Sequence, residues 1–386
     1  MSLFITKITN RYFITNFLFS SLIISFIAGN LVLNLNVVLI IISSIFFYKK
    51  KIFQFDLDLF DKILIFLFAY ILLCGALNDI YYFKNGLNDN FSVFLKSVLF
   101  LRFLIFYFII KFLIKENIIN FKIFFTVSFV SVLFVCLDII FQLLFGYDIF
   151  GYKAVERRLS GPFGDELIAG SFIQRFSLFS LFFIPIFLNF KKKYIKYLLM
   201  FILISLLLIT LVLSGNRIPL ILYILSIIGI VIFEQRLRKF LLPFILITFV
   251  IIFSATSLDE NIRHHLNSFK QKTGQIFYIF SSENLLTNEE EEKYKDFMFF
   301  TLEYKGKKYK LNNSHLKEFK TGYVTWLDKK FFGGGVKSFK ITCRKSSAAD
   351  YCGSHPHNYY LEILASLGLF GFLIFFILFF LIFMKT

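Results

Sequence analysis

Residues 121–145 read FKIFFTVSFVSVLFVCLDIIFQLLF, one lysine and one aspartate in an otherwise uncharged run. At about 1.5 Å of rise per helical residue, such a run is long enough to cross a hydrocarbon layer of about 30 Å. Similar stretches recur along the whole chain. Its 386 residues are 58% hydrophobic, 20% aromatic and only 17% charged, which excludes an ordinary water-soluble globular domain. Ten spans are expected. The first five are Phe13–Ala28, Leu31–Tyr48, Ile63–Leu77, Phe91–Ile114 and Phe121–Phe145; the rest are Gly170–Asn189, Tyr197–Ser214, Ile218–Phe233, Phe240–Ser257 and Leu367–Met384. The expected fold class is therefore all-α, a polytopic membrane protein with a bundle of nine spans over 1–257. One large external loop at 258–366 and a tenth span with the C-terminus at 367–386 complete it.

The net charge of +17, from 42 Lys and Arg against 25 Asp and Glu, is read as a topology signal, and nucleic acid is not an expected partner. Basic residues collect in alternate gaps: Lys7 and Arg11, Lys49 to Lys51, Lys115, Lys191 to Lys193 with Lys196, then Arg236, Arg238 and Lys239, and finally Lys385. The opposite short loops hold fewer, chiefly Lys84, Lys153, Arg157, Arg158 and Arg217. This alternation places both termini on the cytoplasmic side and the large loop outside. No cleavable leader is evident, because the first apolar run lacks a clear small-residue cleavage site and another span follows at once.

The external loop carries all five histidines (His264, His265, His315, His355, His357) and the only tryptophan, Trp326. Its acidic run Glu289–Glu292 is read as solvated surface. Leu302–Leu311 partly alternates apolar and charged residues, the pattern of a small hairpin. Cys343 and Cys352 lie nine positions apart in this loop and form a candidate disulfide in an oxidising compartment. The alternative is a zinc site from Cys343, Cys352, His355 and His357, whose lopsided spacing disfavours it, so no metal is expected. Cys74 and Cys136 sit in spans as small apolar fillers.

Charged side chains inside spans are costly and so mark function by default. Arg102 is the deepest cation, either an internal partner for Asp138 or Gln142 or a cationic wall toward an anionic substrate; Lys111 lies near the inner end, where it can snorkel. Gly146-Tyr147-Asp148-Ile149-Phe150-Gly151 and Arg157-Arg158-Leu159-Ser160-Gly161-Pro162-Phe163-Gly164-Asp165 argue for a shaped turn. Ser214-Gly215-Asn216-Arg217 is a whole connection, with Arg217 at the entrance to a helix, where a guanidinium and free backbone N–H groups suit a phosphate. On the same side, Pro356 is expected to open a short surface helix that projects His357 from its first turn as a proton acceptor.

The sequence at these residues resembles the O-antigen ligase and polymerase family of bacterial membrane glycosyltransferases. The likeness rests on Arg158 to Asp165, Leu213-Ser214-Gly215-Asn216-Arg217, and Gly333-Gly334-Gly335-Val336-Lys337-Ser338-Phe339. It is strongest at His357-Asn358-Tyr359-Tyr360-Leu361-Glu362 with Leu367-Gly368-Leu369-Phe370-Gly371. The resemblance implies transfer of a glycan from an undecaprenyl diphosphate carrier to a sugar hydroxyl, on the lipid A core or a related acceptor, at the periplasmic face of the inner membrane and without metal, nucleotide or other cofactor. By that likeness Arg217 and Arg158 hold the diphosphate and His357 activates the acceptor. Arg102 is added from its depth, with His355, Asn358 and Arg157 as secondary candidates. The family commonly carries more spans than the ten read here. Alternatives are a polymerase joining lipid-linked repeats, a transporter of an anionic solute, against which stands the lack of an internal repeat of spans, and a membrane-anchored binding module.

Overall fold

The computed structural model of the chain describes residues 2–54, 56–85, 92–154, 158–188, 193–233, 300–304, 307–311, 314–344, 352–353 and 355–385. Helix dominates because hydrocarbon offers no partner to a backbone N–H or C=O, so each span must satisfy its own. The first eight helices are α1 (Ser2–Ala28), α2 (Asn30–Tyr48), α3 (Leu59–Lys84), α4 (Ser92–Lys115), α5 (Phe121–Phe145), α6 (Ala169–Phe187), α7 (Lys193–Leu213) and α8 (Arg217–Phe233). Strands β1 (Phe300–Tyr304) and β2 (Lys307–Leu311) follow, then α9 (Ser314–Asp328), α10 (Phe339–Cys343) and α11 (Tyr359–Lys385). Seven of the described helices are long and apolar enough to cross a membrane, and two shorter apolar ones, Ala169–Ile184 and Ile218–Ile232, accompany them. The protein is a multi-pass membrane protein. Nine of the ten expected spans coincide with helix; the ninth in order, Phe240–Ser257, lies outside the described residues, as do His264, His265 and the acidic run. The hairpin forms where the alternation placed it, antiparallel, with Phe300 opposite Leu311 and Tyr304 opposite Lys307.

The chain divides into two compact units, one of Met1–Lys49 with Leu113–Ser281 and one of Lys50–Phe112 with Ser282–Thr386. In the first, Val132, Val135, Ile139, Ile173, Leu207 and Leu211 form the centre of a buried apolar cluster. Lipid tails are as apolar as these side chains, so close packing and hydrogen bonds between helices must hold the bundle, each bond contributing about 0.6 kcal/mol. Asn36 on α2 donates to Ser21 and Ser25 of α1 at 3.0 and 2.9 Å. Asn16 on α1 donates to the Ile118 carbonyl at 2.9 Å and accepts from the Asn120 amide, which ties α1 to the turn before α5. Ser128 donates to the Phe176 carbonyl at 3.3 Å and Cys136 lies 3.3 Å from the Thr210 hydroxyl, linking α5 to α6 and α7.

In the second unit, α3 opens with a reciprocal cap: the Asp61 amide donates to Asp58 at 2.8 Å and the Asp58 amide donates back to Asp61 at 2.9 Å. Asp61 is fully buried and also accepts from Tyr107 at 2.8 Å and from Lys111. Lys111, read as lying near the inner end of its span, pairs with Asp61 at the start of α3 and lies 3.7 Å from Asp58. A buried carboxylate stripped of its cation costs several kcal/mol, so the pair with Lys111 holds the start of α3 against α4.

Near the opposite end of α3 the chain breaks a helix and repairs the break. Gly368 interrupts α11 with φ 65 and ψ −170, a backbone region that is essentially glycine's alone. A break of this kind orphans carbonyls before it and amides after it. Residues 330–335 take them up. The Gly334 and Gly335 amides donate to the Ala365 and Ser366 carbonyls at 2.8 Å each, and the Leu369 and Phe370 amides donate to the Lys330 and Phe331 carbonyls at 2.8 and 3.2 Å. The Leu367 carbonyl accepts from the Tyr70 hydroxyl of α3 at 2.8 Å. The contact is so close that a Cβ at Gly333 would lie 2.4 Å from the Ser366 carbonyl carbon, and one at Gly368 would lie 2.2 Å from the Phe331 oxygen. The triple glycine and the Leu-Gly-Leu-Phe-Gly tail, separated by 31 residues of chain, are thus two halves of one joint. Gly368→Ala is expected to lower thermal stability of the purified protein by about 3 kcal/mol or more, the sum of a forbidden backbone region and the steric overlap; fluorescence-monitored unfolding in detergent measures it.

Candidate active site

In the first unit two arginine-bearing connections touch. Helix α5 ends at Gly146, left-handed at φ 81, whose amide donates to the Gln142 carbonyl. The chain then folds on itself: the Ala154 amide donates to the Gly146 carbonyl at 2.9 Å, and Tyr147 pairs with Lys153. Asp148 organises the tip by accepting from the Phe150 and Tyr152 amides at 2.9 and 2.7 Å. Two side chains from the last turns of α5 brace this loop. Asp138 accepts from the Ile149 amide at 2.9 Å, and Gln142 accepts from the Gly161 amide at 2.9 Å while donating toward the Tyr152 carbonyl and the Ser160 hydroxyl. Asp138 and Gln142 therefore serve the loop backbone. The shaped turn inferred from its glycines and proline is real, and its rigidity comes from these buried side chains.

Arg158 emerges from this brace half-buried, followed by buried Leu159 and Ser160; Arg157 lies outside the described residues. The second connection packs directly on the segment that leads into α6. The Asn216 amide group donates to the Leu167 carbonyl at 2.8 Å, and a Cβ at Gly170 would meet the Ser214 hydroxyl at 2.5 Å and the Asn216 Cβ at 2.7 Å. Arg217 is the first residue of α8; its side chain lies outside the described residues. Arg102, in the other unit, is half-buried on α4 with its guanidinium 4.7 Å from the Phe103 ring centre and 3.4 Å from the Leu99 carbonyl.

In the second unit His357 stands before helix α11, not inside it. Asn358 is the cap: its side-chain oxygen accepts from the Tyr360 and Leu361 amides at 3.0 and 3.1 Å. Pro356, expected to open the helix, is buried two residues before the cap and packs on Gly322 of α9, where any Cβ would lie 2.7 Å from the proline Cβ. His357 is left-handed at φ 49, and its imidazole is 45% exposed. Its Nε2 lies 3.4 Å from a carboxylate oxygen of Glu318 on α9, a residue absent from the sequence-based candidates. The His355 and His357 rings lie 4.2 Å apart. A disulfide joins Cys343 to Cys352, with Cα atoms 5.7 Å apart, and Cys343 is buried with Phe339 and Ala365. The segment leading into the histidines is thereby fastened to α10. Lys329, at the end of α9, reaches back to α3, with its ammonium on Asn78, 3.2 Å from the Tyr82 hydroxyl and over both the Tyr81 and Tyr82 rings.

The family model described as O-antigen ligase matches residues 200–376. Over this stretch the chain is similar to the O-antigen ligase domain family. The matched stretch includes the Arg217 connection, the triple glycine, His357 and the helix break at Gly368. The Arg158 connection and α3 precede it. No curated protein and no solved structure matches the chain.

Replacing Gln142 by Leu removes an acceptor from the Gly161 amide inside the protein, a loss of about 1–3 kcal/mol; hydrogen exchange at amides 146–154 and 158–161 is expected to speed up by about tenfold or more, with α1 and α2 unchanged. Reduction, or Cys343→Ser, opens a loop closed over nine positions and is expected to lower stability by about 2–3 kcal/mol, read as a fall in unfolding temperature with dithiothreitol that the serine variant no longer shows.

Proposed function

We propose that the protein is a membrane glycosyltransferase of the O-antigen ligase type, passing a glycan from undecaprenyl diphosphate to a sugar hydroxyl at the periplasmic face of the inner membrane. The observation that carries this reading is that the family match spans both Arg217, at the start of a helix beside a braced arginine-bearing loop, and His357, on a capped turn against a carboxylate. Arg217 and Arg158 bind the diphosphate, with Arg102 as a further phosphate partner. His357 takes the proton of the acceptor hydroxyl. The chemistry asks for both: negative charge grows on the leaving diphosphate as the glycosidic bond breaks, and fixed cations aimed at it stabilise the transition state more than the ground state. A base on the acceptor makes its oxygen the better nucleophile. The acceptor is the lipid A core or a related glycan.

The test is the lipopolysaccharide ladder of cells lacking the protein, complemented with variants. His357→Ala and Arg217→Ala are expected to cut transfer by about a hundredfold or more while the protein still reaches the membrane, and His264→Ala should complement fully. Loss of capped bands with long lipid-linked polymer retained identifies a ligase. A single repeat left on the core identifies a polymerase instead, and an unchanged ladder in the deletion removes the reading.

A further inference from the structure

The contact that brings Glu318 to His357 is built, not incidental. Gly322 lets α9 lie directly against Pro356 and Leu361, since a Cβ there would be 2.7 and 3.3 Å from their Cβ atoms. Glu318 is one helical turn earlier on α9 and so shares the face that meets the histidine turn. Its side chain is 15% exposed against 45% for His357, so the carboxylate sits on the sheltered side of the ring. His357 itself holds a positive φ of 49, a conformation that costs a non-glycine residue of order 1–3 kcal/mol and persists where the surroundings enforce it. Here the enforcing parts are buried Pro356 on one side and the Asn358 cap on the other.

We propose that Glu318 is the positioning residue of His357: its carboxylate holds the Nε2–H of the imidazole, fixing the neutral ring with Nδ1 unprotonated, and stabilises the imidazolium formed during transfer. This rests on His357 being the base proposed above. In the step itself, the acceptor O–H proton passes to Nδ1 as the hydroxyl oxygen bonds to the anomeric carbon of the donor. The bond from that carbon to the diphosphate oxygen breaks, and its electron pair leaves with undecaprenyl diphosphate; the proton on the ring is then released to water. Glu318 does not touch the reacting atoms. It acts by choosing which nitrogen faces them, since the partner of one ring nitrogen sets the tautomer available at the other.

Two readouts test this on the full-length protein in lipid nanodiscs, with undecaprenyl-diphosphate-linked glycan and core acceptor purified from cells lacking the protein. In steady-state transfer, Glu318→Ala is expected to lower kcat by about tenfold to a hundredfold, part of the 10²–10⁴-fold that a general base supplies, with donor KM within about twofold. Glu318→Asp should recover part of the loss, which a purely structural role of the side chain does not foresee. In ¹⁵N spectra of histidine-labelled protein, with the His357 signal identified by its absence in His357→Asn, the wild type should show the Nε2–H tautomer and Glu318→Ala a mixture. Wild-type kcat in Glu318→Ala, alongside an inactive His357→Ala, overturns the role of Glu318 and leaves the proposed function standing. An active His357→Ala overturns the base assignment instead, and the inference falls with it whatever the spectra show. Should Glu318→Ala not accumulate, Glu318→Gln keeps the shape without the charge and is carried through the same two measurements.

Discussion

A peptide group that leaves a helix near hydrocarbon must find its partner within the protein, and much of this structure is arranged around that demand. It is met twice. At the end of α5 the chain leaves helical geometry for the loop that bears Arg158, and Asp138 and Gln142 supply the acceptors and donors its backbone lacks. At Gly368 a helix is broken on entry to the last span, and the carbonyls and amides set free are matched by those of residues 330–335, with Tyr70, Asn78 and Tyr82 of α3 closing the remainder. In both places buried polar side chains on spanning helices hold a non-helical segment in one conformation.

That arrangement places the candidate side chains on rigid support. The base candidate stands on a turn pinned by a buried proline, a cap, a disulfide and a joint of glycines, while the phosphate candidates Arg158 and Arg217 stand on connections welded to one another through Asn216 and Leu167. The same polar groups that would be costly in hydrocarbon if unpartnered are, once partnered, what fixes the segments bearing the candidate side chains in place.

Spans, the hairpin, the shaped turn and the candidate histidine are legible in the sequence because each has a local signature: an unbroken apolar run, alternation around Tyr304 to Lys307, a glycine and proline cluster, a His-Asn pair. Whatever depends on distant partners is not. Glu318 precedes His357 by 39 positions and carries no local mark of the pairing. The partners of Lys111 are not legible either, because nothing near it in the chain points to the two aspartates at the start of α3 that hold it. Pro356 is a sound helix-opening residue in isolation, yet Asn358 offers the better side-chain cap and the helix begins after it. Asp138 and Gln142 read in the sequence only as polar residues in a span, and the loop amides they accept from, at Ile149 and Gly161, lie beyond the end of the helix.

The joint at Gly368 also bears on modularity. The O-antigen ligase match begins at residue 200, but the carbonyls of Gly333, Gly334 and Leu367 are held by Asn78, Tyr82 and Tyr70 of α3. A chimera exchanging only the matched stretch would face those carbonyls with a third helix from the other protein, without the Tyr70, Asn78 and Tyr82 donors that hold them here. The transplantable unit is therefore discontinuous in sequence: the third helix travels with the C-terminal segment, and homologous parts should be traded as that pair.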